Sequence, residues 1–369
     1  MKNKSVKATV ISFLLVITLV FVSSIILPDK SFSENENRPL ATFPPLTIEN
    51  LIGGKTGAEL NSYVSDQMPL RDQLISLKSS LQIFSGKRDI NGAYICSDGS
   101  YIEKVTADEK VIEKNLLAIK TFFDNGNLTA KYFIPVPTAS QINSETLPKF
   151  AAPYNQKAFI EKAQQLTGFK TVNLIESFEK EAKTHELYYK SDHHWTSFAA
   201  HLAYREFLAV SGKKDDTKYT KETVADDFRG TLYSKVLYPF SKKSNIDYYK
   251  TAKDENYKII VDDKTYPIYF FENLKAKDKY TFFLGGNYPK ATCVGGSKGG
   301  GTLLLIKDSY ANCFIPFLLG VYEKIVVIDP RYFVGDLNEV IVSEGIDDAC
   351  ILYSVDTLSC NTSVQLISQ

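Results

Sequence analysis

The sequence predicts an α/β fold, in which a parallel β-sheet is covered by helices on both faces. Short, continuously apolar runs at 303–306, 324–329 and 349–353 alternate with segments of helical periodicity. Such runs are typical of strands that meet water on neither face, which is the situation in a parallel sheet between two helical layers. Ligands of these sheets bind beyond the carboxyl ends of the strands, so polar residues that follow the strands are the first candidates for a functional site.

The chain begins with an apolar segment long enough to cross a membrane. Lysines within the first seven residues precede a run from Ala8 to Leu27 that carries no charge. As a helix, about twenty residues span ~30 Å, the thickness of the hydrocarbon core of a bilayer. The run lacks an Ala-x-Ala cleavage pattern, which favours an uncleaved transmembrane signal anchor over residues 1–28, although Ser23-Ser24 leaves cleavage open. The upstream lysines place the N-terminus inside, so we expect a single-pass cell-membrane protein with an extracellular domain.

The remainder has the composition of an ordinary globular domain. Acidic and basic residues balance at 43 each, so nothing favours nucleic acid as a partner. The five cysteines show no CxxC or Cys/His spacing, so we expect no metal site, and pairing of Cys350 with Cys360 is left open. Residues 29–50 are polar and rich in proline and are expected to be a linker. Residues 51–369 are then one domain.

In the first half of that domain, helical periodicity alternates with short apolar segments. Predicted helices cover 57–84 (broken at 68–72, where Pro69 interrupts the pattern), 110–125, 155–167 and 197–211, and predicted strands cover 93–95, 101–102, 131–137 and 171–174. The strands at 93–95 and 101–102 flank a turn sequence and predict a hairpin. Thr196 or Ser197 is the expected N-cap of the helix at 197–211.

Residues 215–290 differ in character from what precedes them. Charged, tyrosine-rich segments such as 258–266 and 280–284 predict strands paired in hairpins, so we expect a β-rich insertion here. The α/β pattern then resumes. Its predicted elements are a strand at 303–306, a helix ending at Leu319, a strand at 324–329, a helix at 338–343 and a strand at 349–353.

The strongest functional signal is a pair of motifs that lie far apart in the chain. The segment Ser191-Asp192-His193-His194-Trp195-Thr196 holds two of the four histidines and the one tryptophan of the chain beside an acid. Ser309 follows the apolar run at 303–306, where a strand would hold a nucleophile at its carboxyl end. Acid, imidazole and hydroxyl are the parts of a hydrolytic or acyl-transfer triad. The alternative is a hydrogen-bonded histidine pair in a loop and a serine that caps a helix. Trp195 is expected to be a core anchor, with a platform for a sugar ring as its alternative.

Other polar residues also follow predicted strands at the same edge of the sheet. Because consecutive parallel strands are usually neighbours, Arg331 is expected beside Ser309, where its donors could hold a hydroxyl or a carbonyl. Its alternative is an ion pair with Asp329 or Asp336, and its replacement by alanine is expected to lower acyl transfer with little change in thermal unfolding. The candidate substrate-binding residues are His193, Arg331, Tyr332, Tyr310 and Thr138.

Several segments resemble a known family. Asp192-His193-His194-Trp195 resembles the signature of the DHHW family, and its other recurring segments resemble Glu36-Asn37-Arg38, 66–72, 228–233 and 329–332 of this chain. That family is similar in turn to the SGNH-hydrolase-like proteins of alginate and exopolysaccharide O-acetylation, in which an Asp-x-His motif precedes the serine, a circularly permuted order. The resemblance implies an SGNH-like sheet without cofactor or metal.

The same resemblance implies roles for the site residues. Asp192 would orient the imidazole, His194 would be the base and Ser309 the nucleophile, although His193 competes with His194 on sequence alone. The implied function is extracytoplasmic transfer of an acyl group, most simply acetyl, to or from a cell-surface polysaccharide. The implied partners are that polysaccharide or another acyl acceptor, and a membrane-bound acyltransferase that supplies the acyl group. The alternatives are a carbohydrate esterase on the same polymers and a non-catalytic assembly or binding protein of the cell envelope.

Overall fold

A computed structural model describes residues 2–36, 38–45, 47–166 and 168–368. Asn37, in the middle of the family-like segment Glu36-Asn37-Arg38, and Thr167, the predicted end of a helix, lie outside the described residues. The chain divides into two compact units, Met1–Lys87 with Ser234–Phe240 and Arg88–Tyr233 with Ser241–Gln369. The boundaries expected near residues 28 and 51 stay predictions.

The first unit begins with a long apolar helix. The segment Ser5–Ile26 has 22 residues and a mean hydropathy of 2.7, which is long and apolar enough to cross a membrane. The elements of this part of the chain are α1 (Lys2–Ile26), β1 (Phe32–Ser33), β2 (Arg38–Pro39), α2 (Ile48–Ile52), α3 (Lys55–Asp66) and α4 (Arg71–Phe84). The predicted break between two helices is confirmed, since α3 ends at Asp66 and Leu70 takes a left-handed backbone conformation, with φ of 58°, before α4 begins.

Two of the family-like segments contact each other in this unit. Arg38 donates to the Asp66 carboxylate at 2.5 and 2.9 Å, and Arg71 donates to the Glu36 carboxylate at 2.7 and 3.1 Å. These charge-assisted pairs tie the hairpin β1–β2 to the junction between α3 and α4. The segments around residues 36 and 66 therefore have a structural role inside the first unit.

The next part of the chain confirms most predicted elements to within a few residues. It contains β3 (Asp89–Ile90), β4 (Ala93–Ile95), β5 (Tyr101–Glu103), α5 (Glu109–Asn125), β6 (Ala130–Val136), α6 (Ala139–Ile142), α7 (Gln156–Gln164), β7 (Lys170–Thr171), α8 (Ile175–Glu181) and α9 (Ser197–Ser211). Thr196 caps α9 as predicted, because its side chain accepts the N–H of Ala199. Strand β7 is shorter than the predicted strand at 171–174.

From residue 220 onward, short strands precede the return of the α/β pattern. The elements are β8 (Thr220–Phe228), α10 (Thr231–Val236), β9 (Ser244–Lys250), β10 (Lys258–Val261), β11 (Lys264–Pro267), β12 (Lys290–Val294), β13 (Thr302–Lys307), α11 (Ile315–Leu318), β14 (Lys324–Ile328), α12 (Leu337–Glu344), β15 (Asp348–Ser354) and α13 (Val355–Cys360). The 3₁₀ helices of the described chain include Lys279–Phe282 and Ser309–Cys313.

The prediction of a strand at 280–284 is wrong for most of that segment, because Lys279–Phe282 is a 3₁₀ helix and Phe283 forms only an isolated antiparallel bridge with Tyr269. The N–H of Phe283 bonds the carbonyl of Tyr280, which is the i to i+3 pattern of a 3₁₀ turn. Tyr280, Phe282 and Phe283 are all buried. The sequence pattern of this segment therefore did not distinguish a strand from a tight helical turn.

An eight-stranded sheet forms the core of the second unit, in the order β11-β10-β12-β14-β13-β15-β6-β7. The five strands from β14 to β7 are parallel, whereas β12, β10 and β11 join antiparallel. The predicted α/β class with a central, mostly parallel sheet is confirmed. In the segment predicted as a β-rich insertion, β8 and β9 form a separate two-stranded sheet, while β10 and β11 extend the main sheet.

The central strands are buried on both faces, as their continuous apolar sequence predicts. Residues Leu303–Ile306 of β13 have no exposed surface. Because β13, β14, β15 and β6 run in parallel, the residues that follow them emerge at one edge of the sheet. All five cysteines are free, so Cys350 and Cys360 do not form a disulfide.

Candidate active site

Ser309 lies at the carboxyl end of the central strand β13, as the first residue of a 3₁₀ helix. Asp308 caps that helix, because its carboxylate accepts the N–H of Tyr310 at 3.0 Å. Its other oxygen accepts the N–H and hydroxyl of Ser354, at the end of β15, at 2.9 and 3.0 Å. The serine loop is thereby fixed between the ends of two neighbouring strands. The alternative in which Ser309 is the helix cap is wrong, since Asp308 has that role.

Asp192, His194 and Ser309 come together although they lie far apart in the sequence. His194 Nε2 is 2.8 Å from Ser309 Oγ, and His194 Nδ1 is 2.6 Å from Asp192 Oδ1. The backbone N–H of His194 also donates to Asp192 Oδ1 at 2.9 Å. The imidazole of His194 is therefore held between a carboxylate and a hydroxyl. This is the arrangement in which a histidine can remove the proton of a serine.

The second oxygen of Asp192 is held by the segment that follows β8. Thr231 donates its N–H and its hydroxyl to Asp192 Oδ2 at 2.7 and 3.0 Å. This close approach requires a glycine at position 230, because a Cβ there would lie 2.0 Å from Asp192 Oδ2. Burial by itself would raise the pKa of Asp192, but the imidazoles of His194 and His193 and the hydrogen bonds from His194 lower that pKa well below the ordinary carboxyl value. Asp192 is thus charged.

The imidazole of His194 is neutral at neutral pH. Burial lowers the pKa of His194 below its usual range, the neighbouring His193 lowers it further, and the Asp192 carboxylate opposes both effects. The phenol ring of Tyr280 stacks on the imidazole at 3.8 Å between ring centres, and its hydroxyl donates to the Ser309 carbonyl at 3.1 Å. With the Nδ1 hydrogen directed at Asp192, Nε2 is left as the acceptor for the Ser309 hydroxyl.

The other residues of the histidine motif join it to the serine loop. His193 Nδ1 lies 2.6 Å from the hydroxyl of Thr231, and the His193 carbonyl accepts the hydroxyl of Tyr310. Trp195 is fully buried and donates its indole N–H to the Tyr310 carbonyl at 2.8 Å. Trp195 is therefore a core anchor. His193 does not contact Ser309, so the structure assigns the central position to His194.

A cavity of about 340 Å³ opens over Ser309. Residues from several strand ends and from the histidine motif line it: Glu103, Lys104, Val105, Thr106, His193, Asp308, Ser309, Tyr310, Arg331, Ser354, Asp356, Thr357, Cys360 and Asn361. Among the candidate substrate-binding residues, His193, Tyr310 and Arg331 line this cavity. A larger hollow of about 810 Å³, lined by residues between 248 and 272, contains none of the triad.

Arg331 satisfies both interpretations of the sequence, because it pairs with an acid and also lines the cavity. Its Nε and Nη2 donate to the two carboxylate oxygens of Asp329 at 2.8 and 2.6 Å. Asp329 is fully buried, and Lys307 Nζ lies 3.7 Å from it. Removal of Arg331 would leave this carboxylate poorly paired, so the structure leads us to predict, in place of a nearly unchanged thermal unfolding, a loss of stability for alanine at 331. Tyr332 is 53% exposed and is not among the described residues that line the cavity.

Thr138 lies behind the cavity wall. It is 4% exposed, and its hydroxyl donates to Asp356 Oδ2 at 2.7 Å. Gln156 donates to the other oxygen of Asp356 at 2.8 Å. Burial raises the pKa of Asp356 to about 7; the charge of Glu103 also raises it, while the Thr138 hydroxyl and His193 oppose the rise.

Sequence reasoning missed Gly230, Thr231, Tyr280 and Asp356. The segment 228–233, which contains Gly230 and Thr231, resembles a family motif, but the resemblance did not indicate what these two residues contact. Asp356 follows β15 at the same sheet edge as Ser309, so the argument from strand ends could have found it. Tyr280 carried no signal in the sequence.

Asp192, His193 and His194 also offer ligand atoms within 4.8 Å of one another, and within the described chain they are the group of three that could hold a metal ion. However, both nitrogens of His194 are engaged, one by Asp192 and the other by Ser309. In the observed arrangement, His194 therefore has no nitrogen left for a metal ion.

Comparisons with known proteins agree with this architecture. The family model described as "DHHW protein" matches residues 123–328. A crystal structure of a DHHW family protein from Eubacterium siraeum is similar with a TM-score of 0.64 and 22% identity, covering 75% of this chain and 95% of that chain. Bacillus cereus PatB1 is similar with a TM-score of 0.61 and 20% identity; its structure with a sulfonyl adduct covers 74% of this chain and 99% of that chain.

The O-acetyltransferase domain of Pseudomonas putida AlgJ matches with a TM-score of 0.45 and 12% identity, over 75% of this chain and 98% of that domain. At these identities the likenesses concern the fold. Among curated proteins, none matches the sequence of this chain.

Proposed function

The chain belongs to the DHHW family, and from this premise we propose that it is an acyltransferase that acts outside the cytoplasmic membrane. It moves an acyl group, most simply acetyl, onto a hydroxyl of a cell-surface polysaccharide. An esterase that releases acetate from the same polymers, and an assembly protein without catalysis, are the alternatives that the experiment below distinguishes.

The observation that supports this proposal is the continuous hydrogen-bonded chain from Asp192 through His194 to Ser309. Its two contacts measure 2.6 and 2.8 Å. A serine hydroxyl is a weak nucleophile until a base removes its proton, and the base needs a fixed tautomer. Here the charged carboxylate fixes the Nδ1 hydrogen and the neutral imidazole presents Nε2 to the hydroxyl.

The reaction has two halves. His194 takes the proton of Ser309 while Oγ attacks the carbonyl of the donor ester, and the tetrahedral intermediate expels the donor alcohol, which takes the proton back from His194. The product is an acyl-enzyme on Ser309. In the second half His194 removes the proton of an acceptor hydroxyl, whose oxygen attacks the acyl carbon. Ser309 leaves with the proton, and the acceptor carries the new ester.

A donor for the negative oxygen of the intermediate is present in the serine loop. Among the described residues, none accepts the backbone N–H of Ser309. This N–H is adjacent to the attacking oxygen, as in other oxyanion sites. Arg331 lines the same cavity and uses Nε and Nη2 for Asp329, which leaves Nη1 for a substrate oxygen.

The location and the donor are parts of the same proposal. The apolar part of helix α1 anchors the chain, and the lysines in the first seven residues keep the N-terminus in the cytoplasm, so the catalytic unit lies outside. We propose that a membrane-bound acyltransferase supplies the acyl group. The proposed site can move an acyl group from one ester to another, but it has no chemistry that would form the donor ester.

The test uses the full chain in detergent, with p-nitrophenyl acetate as donor and candidate oligosaccharides as acceptors. Acetyl groups on the glycan and free acetate are measured for the wild type, for Ser309→Ala, and for Ser62→Ala, a matched change at an exposed serine of α3. Acetylated glycan that is lost only in Ser309→Ala supports the proposal. Free acetate without acetylated glycan assigns an esterase. The assembly protein predicts that Ser309→Ala behaves as the wild type, and the same result, or no product from the wild type, would rule out both enzymes.

A second probe follows from PatB1, which has been solved with a sulfonyl adduct. We expect a sulfonyl fluoride to inactivate this chain and to label Ser309. Labelling at any other residue would argue against Ser309 as the nucleophile.

A further inference from the structure

Asp356 is an acid in the cavity wall that the proposed mechanism does not use. It follows β15, the strand whose last residue, Ser354, holds the capping carboxylate of the serine loop. Asp356 and Ser309 line the same cavity, together with His193 and Arg331. The side chain is partly exposed there, so it is accessible to a ligand.

The carboxylate of Asp356 is held from behind by two neutral donors. Thr138 donates to Oδ2 at 2.7 Å and Gln156 donates to Oδ1 at 2.8 Å. Thr138 is 4% exposed and Gln156 is fully buried. The amide oxygen of Gln156 accepts the N–H of Thr138 at 2.8 Å, which fixes the orientation of the amide. The protein therefore fixes the carboxylate in a single position.

No cation balances this carboxylate among the described residues. The lysine and the arginine that line the cavity are paired with other acids, Lys104 with Asp89 at 2.5 Å and Arg331 with Asp329 at 2.6 Å. His193, the third basic side chain of the cavity, has its Nδ1 2.6 Å from the hydroxyl of Thr231. Glu103 adds a second acid to the same wall. A carboxylate has room for about four hydrogen bonds, and a poorly compensated charge that is partly buried is costly, so a donor from a ligand would stabilise it.

We propose that Asp356 binds a hydroxyl of the acyl acceptor, and that through it the cavity selects a neutral polysaccharide over a polymer of uronic acids. The proposal rests on the function proposed above. Asp356 accepts a hydrogen bond from one hydroxyl, while a neighbouring hydroxyl of the same sugar reaches His194 and the acyl group. Asp356 exchanges no proton in this step. An anionic sugar would bring a second negative charge to a wall whose bases are already paired.

One consequence separates this role from a general structural one. Water attacks the acyl-enzyme without a second hydroxyl and makes no use of Asp356. The ratio of acetyl transferred to the glycan over acetate released therefore depends on Asp356. A change that merely distorted the triad would lower both products and leave the ratio unchanged.

The experiment is run at pH 8, where Asp356, whose pKa burial raises to about 7, is mostly charged. It measures this ratio and the KM for the acceptor with the full chain, p-nitrophenyl acetate, and two oligosaccharides of equal length, one neutral and one made of uronic acids. For Asp356→Asn we expect the ratio with the neutral acceptor to fall by about tenfold to a hundredfold, through a higher acceptor KM, because a hydrogen bond to a charged group is lost. Thr138→Val removes one support of the carboxylate and should lower the ratio less. Asp124→Asn, at an exposed ion pair with Lys120, is the matched control.

For the wild type we expect the neutral acceptor to be preferred by about tenfold or more, and Asp356→Asn to narrow that preference, because the opposing charge is gone. The proposal is overturned if Asp356→Asn leaves the ratio within twofold, or if the wild type accepts the uronic acid oligomer equally well. Failure of the proposed function is distinguishable, since it would appear as free acetate without acetylated glycan in the wild type, or as unchanged activity in Ser309→Ala. If Asp356→Asn fails to fold, the ratio in Thr138→Val decides, and an unchanged ratio there overturns the proposal.

Discussion

The two sides of the candidate site each present a carboxyl group, and their surroundings are opposite. Asp192 is 3% exposed and has two imidazoles beside it, which lower the pKa of its carboxyl despite burial. Asp356 has neutral donors behind it and another acid nearby, and burial raises its pKa to about 7. The carboxylate of Asp192 is thus charged, and both of its oxygens accept hydrogen bonds from His194 and Thr231. The carboxylate of Asp356 can still accept hydrogen bonds from a ligand.

This difference shows that partners, rather than residue type, assign a role to a carboxyl group. All observed hydrogen bonds of Asp192 serve to hold His194 and the loop around Thr231. Those of Asp356 come from behind the cavity wall and leave its front free for a ligand. Changes on the Asp192 side should therefore abolish chemistry, while changes on the Asp356 side should alter binding or stability.

The largest effect is expected for Asp192→Asn. An amide cannot fix the Nδ1 hydrogen of His194 or stabilise the imidazolium, and the corresponding change in a serine protease triad lowers kcat by about 10⁴. We expect a loss of 10³-fold or more in hydrolysis of p-nitrophenyl acetate, measured with unfolding temperature as the control for folding. A loss below about tenfold would show that Asp192 is not the orienting acid.

The next effect concerns the contact that holds Asp192 in place. In Gly230→Ala the new Cβ would meet Asp192 Oδ2 at 2.0 Å, so the carboxylate must move. A displacement of about 1 Å in a catalytic group costs roughly 10²-fold in rate, and we expect a loss of this size in the same assay. Gly57→Ala is the matched control, because a Cβ at position 57 meets nothing within 4 Å. Equal activity of the two variants would contradict the proposed support.

Arg331, which lines the cavity together with Asp356, should affect both stability and activity. We expect Arg331→Ala to lower the free energy of unfolding as well as the rate of acyl transfer. It removes two hydrogen bonds from the fully buried Asp329 carboxylate. Breaking such a pair typically costs about 3 kcal/mol, reduced here because Arg331 is partly exposed. We expect a loss of about 2 kcal/mol in the free energy of unfolding in urea, against less than about 1 kcal/mol for the exposed neighbour Tyr332→Ala. Similar values for both variants would show that the ion pair is not structural.

The smallest effect is a pH dependence of stability through Asp356. The folded state binds the proton of this carboxyl more tightly than the unfolded state, so the free energy of unfolding falls as pH rises from about 4 to about 7. Asp356→Asn has no proton to lose. We expect its Tm relative to wild type to rise by roughly 2–4 °C between pH 5 and pH 8. A difference in Tm that is independent of pH would contradict the raised pKa.

Much of the fold could be predicted because its signals are local. The apolar runs at 303–306 and 349–353 predicted buried strands, and the cap at Thr196 predicted the start of a helix. The order of strands could be predicted only for the neighbours β13 and β14. The hairpin of β10 and β11 is local and was predicted within 258–266. Its addition to the sheet through β12 depends on pairing between distant segments, which the sequence does not encode locally.

The part of the site that could be predicted from the sequence is the part marked by residue types that are rare in this chain, histidine above all. The concentration of histidines beside Asp192, and a serine after a buried strand, indicated the three residues that the structure brings together. Thr231 and Tyr280 could not be identified, because threonine and tyrosine are common and their contacts with Asp192 and His194 arise only from tertiary packing. Thr138 was predicted to bind substrate, but its hydroxyl donates to Asp356. Asp356 lies in α13, far from Thr138 in the sequence, so this contact could not be predicted.

The central claim is that Ser309 carries the acyl group, and the most direct test is mass spectrometry of the acyl-enzyme. The full chain is mixed with p-nitrophenyl acetate without an acceptor, quenched in acid within the first turnover and digested. We expect the mass of one acetyl group on the peptide that contains Ser309, its absence in Ser309→Ala, and its loss when a glycan acceptor is added before quenching. An acetyl group found on another residue, or an unlabelled wild type that still transfers acetyl to the glycan, would contradict the account.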